Sequence, residues 1–223
     1  STHSKLVLLI TSILIVVGIV FMFLLEYKNP ETLGPMSIKD KIINAIFAGV
    51  SPRTAGFNSV SLDKMTSGGK FLTVILMFIG GSPGSTAGGL KTATFGIILL
   101  TVLSVIKGRE DTELFGRRLS KELVYKAFSI LMISVSLIVM VTMLLCITQT
   151  GEDFINLFYE ATSAFATVGL TTGVTQRLNF IGKIIIMITM YLGRVGPLTV
   201  ALALTNKRKN TGYKYPETKI LIG

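Results

Sequence analysis

Ser51-Pro52-Arg53-Thr54-Ala55-Gly56-Phe57 returns 113 residues later as Ala164-Phe165-Ala166-Thr167-Val168-Gly169-Leu170. The surroundings repeat as well. Upstream, Ile43-Asn44-Ala45-Ile46-Phe47 resembles Ile155-Asn156-Leu157-Phe158-Tyr159, and downstream Ile79-Gly80 falls opposite Leu192-Gly193. A lone Thr-x-Gly carries no information, but two at matching places in an internal repeat organise the whole chain. Each half runs in one order: a long apolar span, a short amphipathic helix, Thr-x-Gly, and a second apolar segment.

The long spans place these repeats in a bilayer. Leu6–Leu25 holds twenty residues without a charge, and Ala127–Thr148 holds twenty-two. At about 1.5 Å per residue, each crosses roughly 30 Å of hydrocarbon. Half of the 223 residues are apolar and 15% are charged, and a chain of this size cannot enclose so many apolar helices in a soluble core. No small-residue cleavage pattern follows the first span, so it does not read as a signal peptide.

The net charge of +10 is explained by its placement. Lys107, Arg109, Arg117, Arg118, Lys121 and Lys126 crowd one connecting stretch, and Lys207, Arg208, Lys209, Lys214 and Lys219 lie in the tail. By the positive-inside rule the N-terminus, the 107–126 connection and the tail are expected in the cytoplasm. The basic runs lack the interleaved aromatics that stack bases, which argues against nucleic acid as a partner. Cys146, the single cysteine, forms no internal disulfide, and one histidine, His3, gives no transition-metal site.

The short helices, expected over Ile38–Val50 and Asp153–Ala166 with Ser37 and Asp153 as N-caps, are too short to span and read as re-entrant segments. Each aims its partially negative C-terminal end at mid-membrane. The non-helical backbone that follows leaves carbonyls unpaired, which is tolerated at that depth only inside protein or beside water. Carbonyls in need of a partner, next to two negative helix ends, form a site for a dehydrated cation. The expected ion-facing segments are Thr54, Ala55, Gly56 and Phe57 in the first half and Thr167, Val168, Gly169 and Leu170 in the second. K+ is the ion expected there, from the resemblance described below.

Apolar sequence then runs from about Gly68 to Ile106, which as one helix would be about 60 Å long, twice what a bilayer accommodates. Its centre reads Gly80-Gly81-Ser82-Pro83-Gly84-Ser85-Thr86-Ala87-Gly88-Gly89, and helix held there costs several kcal/mol. The expectation is an intramembrane loop between half-helices Lys70–Ile79 and Leu90–Ile106. Gly80, Gly81, Ser82, Gly84, Ser85, Thr86, Gly88 and Gly89 then line a hinge-like gate. A second reading takes Phe71–Ile79, the loop and Lys91-Thr92 as strand, phosphate loop and helix of a nucleotide hydrolase. Leu90 intervenes between Gly89 and Lys91, however, and no later strand ends in a magnesium-binding aspartate.

Arg194 stands inside the last apolar segment, Phe180–Leu204, opposite Gly81 in the repeat. An intramembrane charge is functional by default. An electrostatic barrier, a tether for the gate loop and an ion pair with Glu160 are its competing roles. Arg53 is expected to point behind the ion path and pair there, and Gly196-Pro197 is expected to kink the segment.

With these segments laid out, the chain resembles the pore subunit of the Ktr/Trk/HKT superfamily of potassium transporters, most closely the bacterial Ktr type. The resemblance rests on PRTAGFNSV, the glycine/serine/threonine loop before Leu90-Lys91, SAFATVGLTTG and LGRVGPLT. It implies an all-α membrane protein with helix–re-entrant loop–helix repeats, four to a subunit, of which this chain carries the third and fourth. The third repeat is expected over 1–107, a cytoplasmic linker over 108–126, the fourth repeat over 127–206 and a cytoplasmic tail over 207–223. The resemblance implies a gate loop at 80–89 and a pore arginine at Arg194. It also implies K+ as transported ion, Na+ as a coupling or activating ion and no organic cofactor. The partners it implies are the N-terminal half, a second copy of the subunit, membrane lipid and a cytosolic ring of nucleotide-binding regulators. Two such segments cannot surround an ion, so a fragment or half-chain is expected. A non-conducting membrane scaffold is the competing non-enzymatic reading.

Overall fold

Twenty-five residues, Thr2–Glu26, form helix α1. Its buried residues, Leu6, Ile10, Leu14, Gly18, Met22 and Glu26, recur every fourth position as one narrow stripe. Leu8, Leu9, Ile13, Val16, Val20 and Leu24 remain exposed. An apolar surface of that extent is stable against hydrocarbon and a liability in water. Helix α5, Lys121–Thr148, repeats the design with Ala127, Ser134, Ile138, Val141, Thr142 and Leu145 inward. These two helices have the length and apolarity to cross a bilayer.

The computed structural model describes residues 2–85, 87–109, 111–196 and 199. Thr86, residues 200–206 of the expected fourth repeat and the 207–223 tail lie outside the described residues.

After α1 come α2 (Ile38–Val50), α3 (Ser67–Phe78) and α4 (Thr92–Ile106). The second half follows α5 with α6 (Phe154–Phe165), a four-residue turn of helix α7 (Val174–Arg177) and α8 (Phe180–Val195). The order long helix, short helix, Thr-x-Gly, apolar helix therefore occurs twice. Helix α2 has the expected bounds, and the Ser37 hydroxyl accepts from the Asp40 amide at 3.2 Å. Asp153 occupies the N-cap position of α6 without making a side-chain cap bond.

Three boundaries differ from expectation. Helix α3 begins at Ser67 and not Lys70, because the Thr66 hydroxyl accepts from the Gly69 amide at 3.0 Å and starts the helix through two glycines. Helix α4 begins at Thr92, two residues late, since the Leu90 and Thr92 amides donate to the Phe78 and Gly81 carbonyls. Helix α8 ends at Val195, ahead of the Gly196-Pro197 pair expected to kink the apolar segment. Gly196 takes φ 95°, a conformation that costs glycine little, and Pro197 lies outside the described residues. Residues 121–126, expected as linker, belong to α5. Ahead of them a hairpin pairs β1 (Glu113–Leu114) with β2 (Arg117–Arg118).

Helix α1 packs on α2, α3 and α4, while α6 is held by α3, α5 and α8. A buried cluster of Met22, Leu62, Met65, Val74, Met77, Tyr159, Val168 and Leu170 joins the two halves. At its outer end, buried Glu26 accepts from the Thr66 amide (2.9 Å) and hydroxyl (2.6 Å), from Asn29 (2.7 Å) and from Thr32 (2.7 Å). That carboxylate fixes the end of α1 to the positive start of α3. Lys70, also buried, donates to Asn156 at 2.9 Å and ties α3 to α6.

Candidate functional site

Both Thr-x-Gly turns adopt one unusual backbone. Thr54 and Gly56 have φ of 74° and 76°, and Thr167 and Gly169 have 53° and 90°. Ala55 and Val168, between them, keep negative φ. A threonine in the left-handed region is strained. Alternating hands along the backbone turns successive carbonyls towards one side, an arrangement neither helix nor strand provides. Amides are satisfied backwards: Ala55 and Gly56 donate to the Ser51 carbonyl (3.0 and 3.3 Å), and Val168 donates to Ser163 (3.0 Å). Among the described residues, no hydrogen bond ends on the carbonyls of Thr54, Ala55, Gly56, Thr167, Val168 or Gly169.

The two turns also meet. A Cβ on Gly56 would overlap the Val168 carbonyl oxygen, so that carbonyl lies against the first turn. The Val168 and Leu170 side chains are buried in the core shared by both halves, while Gly169 faces an open cavity of about 310 Å³ bordered by Glu160, Ser163, Thr167, Thr175 and Met190. The Val168 and Leu170 side chains thus anchor the second turn to the core. Phe57 departs from this pattern. Its side chain is 69% exposed, its amide donates to the Ser51 hydroxyl (3.0 Å), and its carbonyl accepts from that hydroxyl. Ser51, not singled out from sequence, therefore closes the first turn; its counterpart Ala164 has no hydroxyl to do the same.

The glycine-rich loop lies directly against the second turn. The Gly88 amide donates to the Thr167 hydroxyl at 3.0 Å, and a Cβ on Gly88 would sit 2.7 Å from the Ala166 carbonyl oxygen. Ser85 folds onto the Ser82 carbonyl through its amide (3.2 Å) and hydroxyl (2.6 Å). Lys91 donates from Nζ to the carbonyls of Ala87 and Ser85, closing the loop on itself. Gly80, Gly81, Gly84 and Gly89 complete the described loop.

Arg194 is exposed on α8. The preceding Gly193 packs so closely beneath the end of α6 that a Cβ there would overlap the Phe165 carbonyl oxygen. Arg194 stands near enough to Lys91 for their positive charges to act on each other. The ion pair considered between Arg194 and Glu160 gives way to a different arrangement. Glu160 is buried and accepts from the Thr171 hydroxyl, the Thr172 amide (3.0 Å) and the Thr175 hydroxyl (2.6 Å). Its carboxylate organises the segment leaving the second turn. Arg53 finds backbone carbonyls in place of an acidic partner, those of Thr11 and Gly80, each at 3.3 Å.

With this geometry in view, comparison with known proteins is decisive. The model of the TrkH family, described as a cation transport protein, matches residues 3–212. The chain belongs to the TrkH family. Among curated relatives, it is 41% identical over 99% of its length to the potassium/sodium uptake protein NtpJ of Enterococcus hirae. It is 38% identical over its full length to the Ktr system potassium uptake protein B of Bacillus subtilis. The chain spans about half the length of the curated relatives it matches, 50% of each of these two. In fold, it is similar to the crystal structure of the potassium transporter TrkH from Vibrio parahaemolyticus. That match has a TM-score of 0.73 at 22% identity, covering 91% of this chain and 45% of the other. The expected all-α, potassium-channel-like class is thereby established, and this TrkH-family chain is a membrane protein.

Proposed function

We propose that this TrkH-family chain is the C-terminal half of the ion-translocating subunit of a Ktr-type potassium-uptake system, and that it transports ions and catalyses no reaction. The single observation that carries the reading is the paired Thr-x-Gly backbone. Two segments alternate in hand, meet at Gly56 and Val168, and hold their carbonyls free at the C-terminal ends of α2 and α6. Oxygens placed this way replace a cation's hydration shell. Thr54, Ala55 and Gly56, with Thr167, Val168 and Gly169, supply ligands for K+. Leu170 anchors the second segment in the core, and Phe57, held through its backbone by Ser51, ends the first. The loop 80–89 lies below the filter as a gate, with Thr86 included on sequence grounds, and Arg194 stands at the same level as a fixed positive charge.

In this reading residues 1–107 and 127–206 are the third and fourth repeats, joined by 108–126. The N-terminus, that connection and the 207–223 tail face the cytoplasm. The missing filter segments come from the N-terminal half, and a second subunit, lipid and a cytosolic nucleotide-binding ring complete the assembly. Na+ enters as coupling or activating ion. The reading is tested by Gly56→Ser and Gly169→Ser in the complete subunit, expressed in cells that require potassium uptake for growth. Lower K+ uptake or lost discrimination against Na+ is expected. Unaltered uptake and selectivity in both variants would remove the filter.

A further inference from the structure

The loop's entrance is closed by bonds to three carbonyls within four residues, Phe78, Gly80 and Gly81. The Phe78 carbonyl accepts from the Leu90 amide (2.9 Å) and the Gly81 carbonyl from the Thr92 amide (3.1 Å), both across the base of the loop. The Gly80 carbonyl, between them, accepts from Arg53 Nη2 at 3.3 Å, a partner 27 residues away. Arg53 Nη1 reaches the Thr11 carbonyl, 42 residues away in the middle of α1, also at 3.3 Å. The guanidinium is part-buried, its Nε is buried without a hydrogen bond among the described residues, and none of the ion pairs among those residues includes it. A cation kept beside a cation pathway, with no ion-pair partner among the described residues, is costly unless its geometry is needed. Arg53 immediately precedes Thr54, the first left-handed residue of the first turn. Its planar fork spans two carbonyls, which the single ammonium of lysine cannot match.

We infer that Arg53 is a positioning residue that pins the hinge of the glycine-rich loop at Gly80 to the rigid helix α1, coupling loop opening to the first Thr-x-Gly turn. The inference rests on the gate reading proposed above. Without Arg53, the Gly80 carbonyl loses its partner at membrane depth, and the closed loop loses one charge-assisted hydrogen bond.

The test uses the complete subunit reconstituted in liposomes, with resting leak read as radioactive rubidium efflux. Arg53→Met should raise the leak about tenfold, the factor expected for one charge-assisted hydrogen bond. In a subunit lacking Ser82–Gly88, which should leak already, the same substitution should add less than about twofold, because both changes act through one element. Arg53→Lys should recover only part of the effect. Full recovery by lysine would assign the effect to charge and overturn the inference, as would additivity with the deletion. If the deletion leaks and Arg53→Met does not, the pin is refuted while the gate stands. If the deletion itself does not leak, the gate reading falls and the pin with it. Should Arg53→Met not assemble, Arg53→Gln, which keeps a single, uncharged amide nitrogen as donor group, is measured against the same outcomes.

Discussion

The backbone amide of Gly88 donates to the side-chain hydroxyl of Thr167 at 3.0 Å, across 79 residues of sequence. One end of the bond lies in the glycine-rich loop of the first half and the other in the Thr-x-Gly turn of the second. The loop is therefore latched to the backbone that the proposed ion passes, and a change in either element is felt by the other.

Thr167→Val keeps the side-chain shape and removes the acceptor, leaving the Gly88 amide without its partner. The loss is about 1 kcal/mol of latch stability, and resting rubidium efflux should rise several-fold. Thr167→Ser retains the hydroxyl and should behave like the parent. Equal leak in the two variants would mean that the latch has no part in closure.

The two turn glycines should differ in tolerance. Both require positive φ, which costs an alanine about 1 kcal/mol. A Cβ at Gly56 also overlaps the Val168 carbonyl, whereas nothing lies within 4 Å of one at Gly169. Gly56→Ala should therefore lower the melting temperature of the detergent-solubilised subunit more than Gly169→Ala. The reverse order would contradict the contact between the turns.

Glu160 is predicted to be structural for the outer segment of the second turn. Glu160→Ala leaves the Thr171, Thr172 and Thr175 donors without their acceptor and should cost about 2–4 kcal/mol. Glu160→Gln keeps one oxygen and should cost less. Thermal unfolding of both variants measures this, and a melting temperature unchanged by Glu160→Ala would contradict the arrangement.

Outside the spans, Arg177 grips Glu152 with two hydrogen bonds, from Nε at 2.6 Å and from Nη2 at 2.9 Å. The Arg177 hydrogen bond holds the Glu152 carboxyl below its ordinary value. Such a group adds stability above its unfolded pKa, about 4.3 for glutamate, and loses it as pH falls through the lower folded value. The tie should be intact at neutral pH and lost only once the pH has fallen through the lowered folded value, below that of an ordinary glutamate. Melting temperatures at neutral and acid pH should diverge slightly more in the parent than in Arg177→Gln, the pair being largely solvated. An identical acid response in the two proteins would deny the tie.

Sequence reading recovered the parts governed by local rules. Ile38–Val50 was legible to the residue because Ser37 caps it and its length is set by the following Pro52-containing turn. The break in the long apolar stretch was legible because glycine and proline cannot be held helical there. The start of α3 was not, because Ser67-Gly68-Gly69 reads as loop until the Thr66 cap is seen. The 113–118 hairpin was hidden because its turn uses Phe115 at φ 48°, where Asn or Asp would have advertised it. The Gly88–Thr167 latch, the Arg53 bonds and the Glu160 network join residues distant in sequence, which no periodicity reports. Thr54 and Thr167 were named from their motif, but their left-handed backbone belongs to the fold.

The most direct test of the account is where a permeant ion rests in the complete subunit. Crystals of the subunit soaked in rubidium or thallium should show anomalous density within coordination distance of the carbonyls of Thr54–Gly56 and Thr167–Gly169. Ions bound elsewhere along the axis, with those carbonyls turned to protein or lipid, would contradict it.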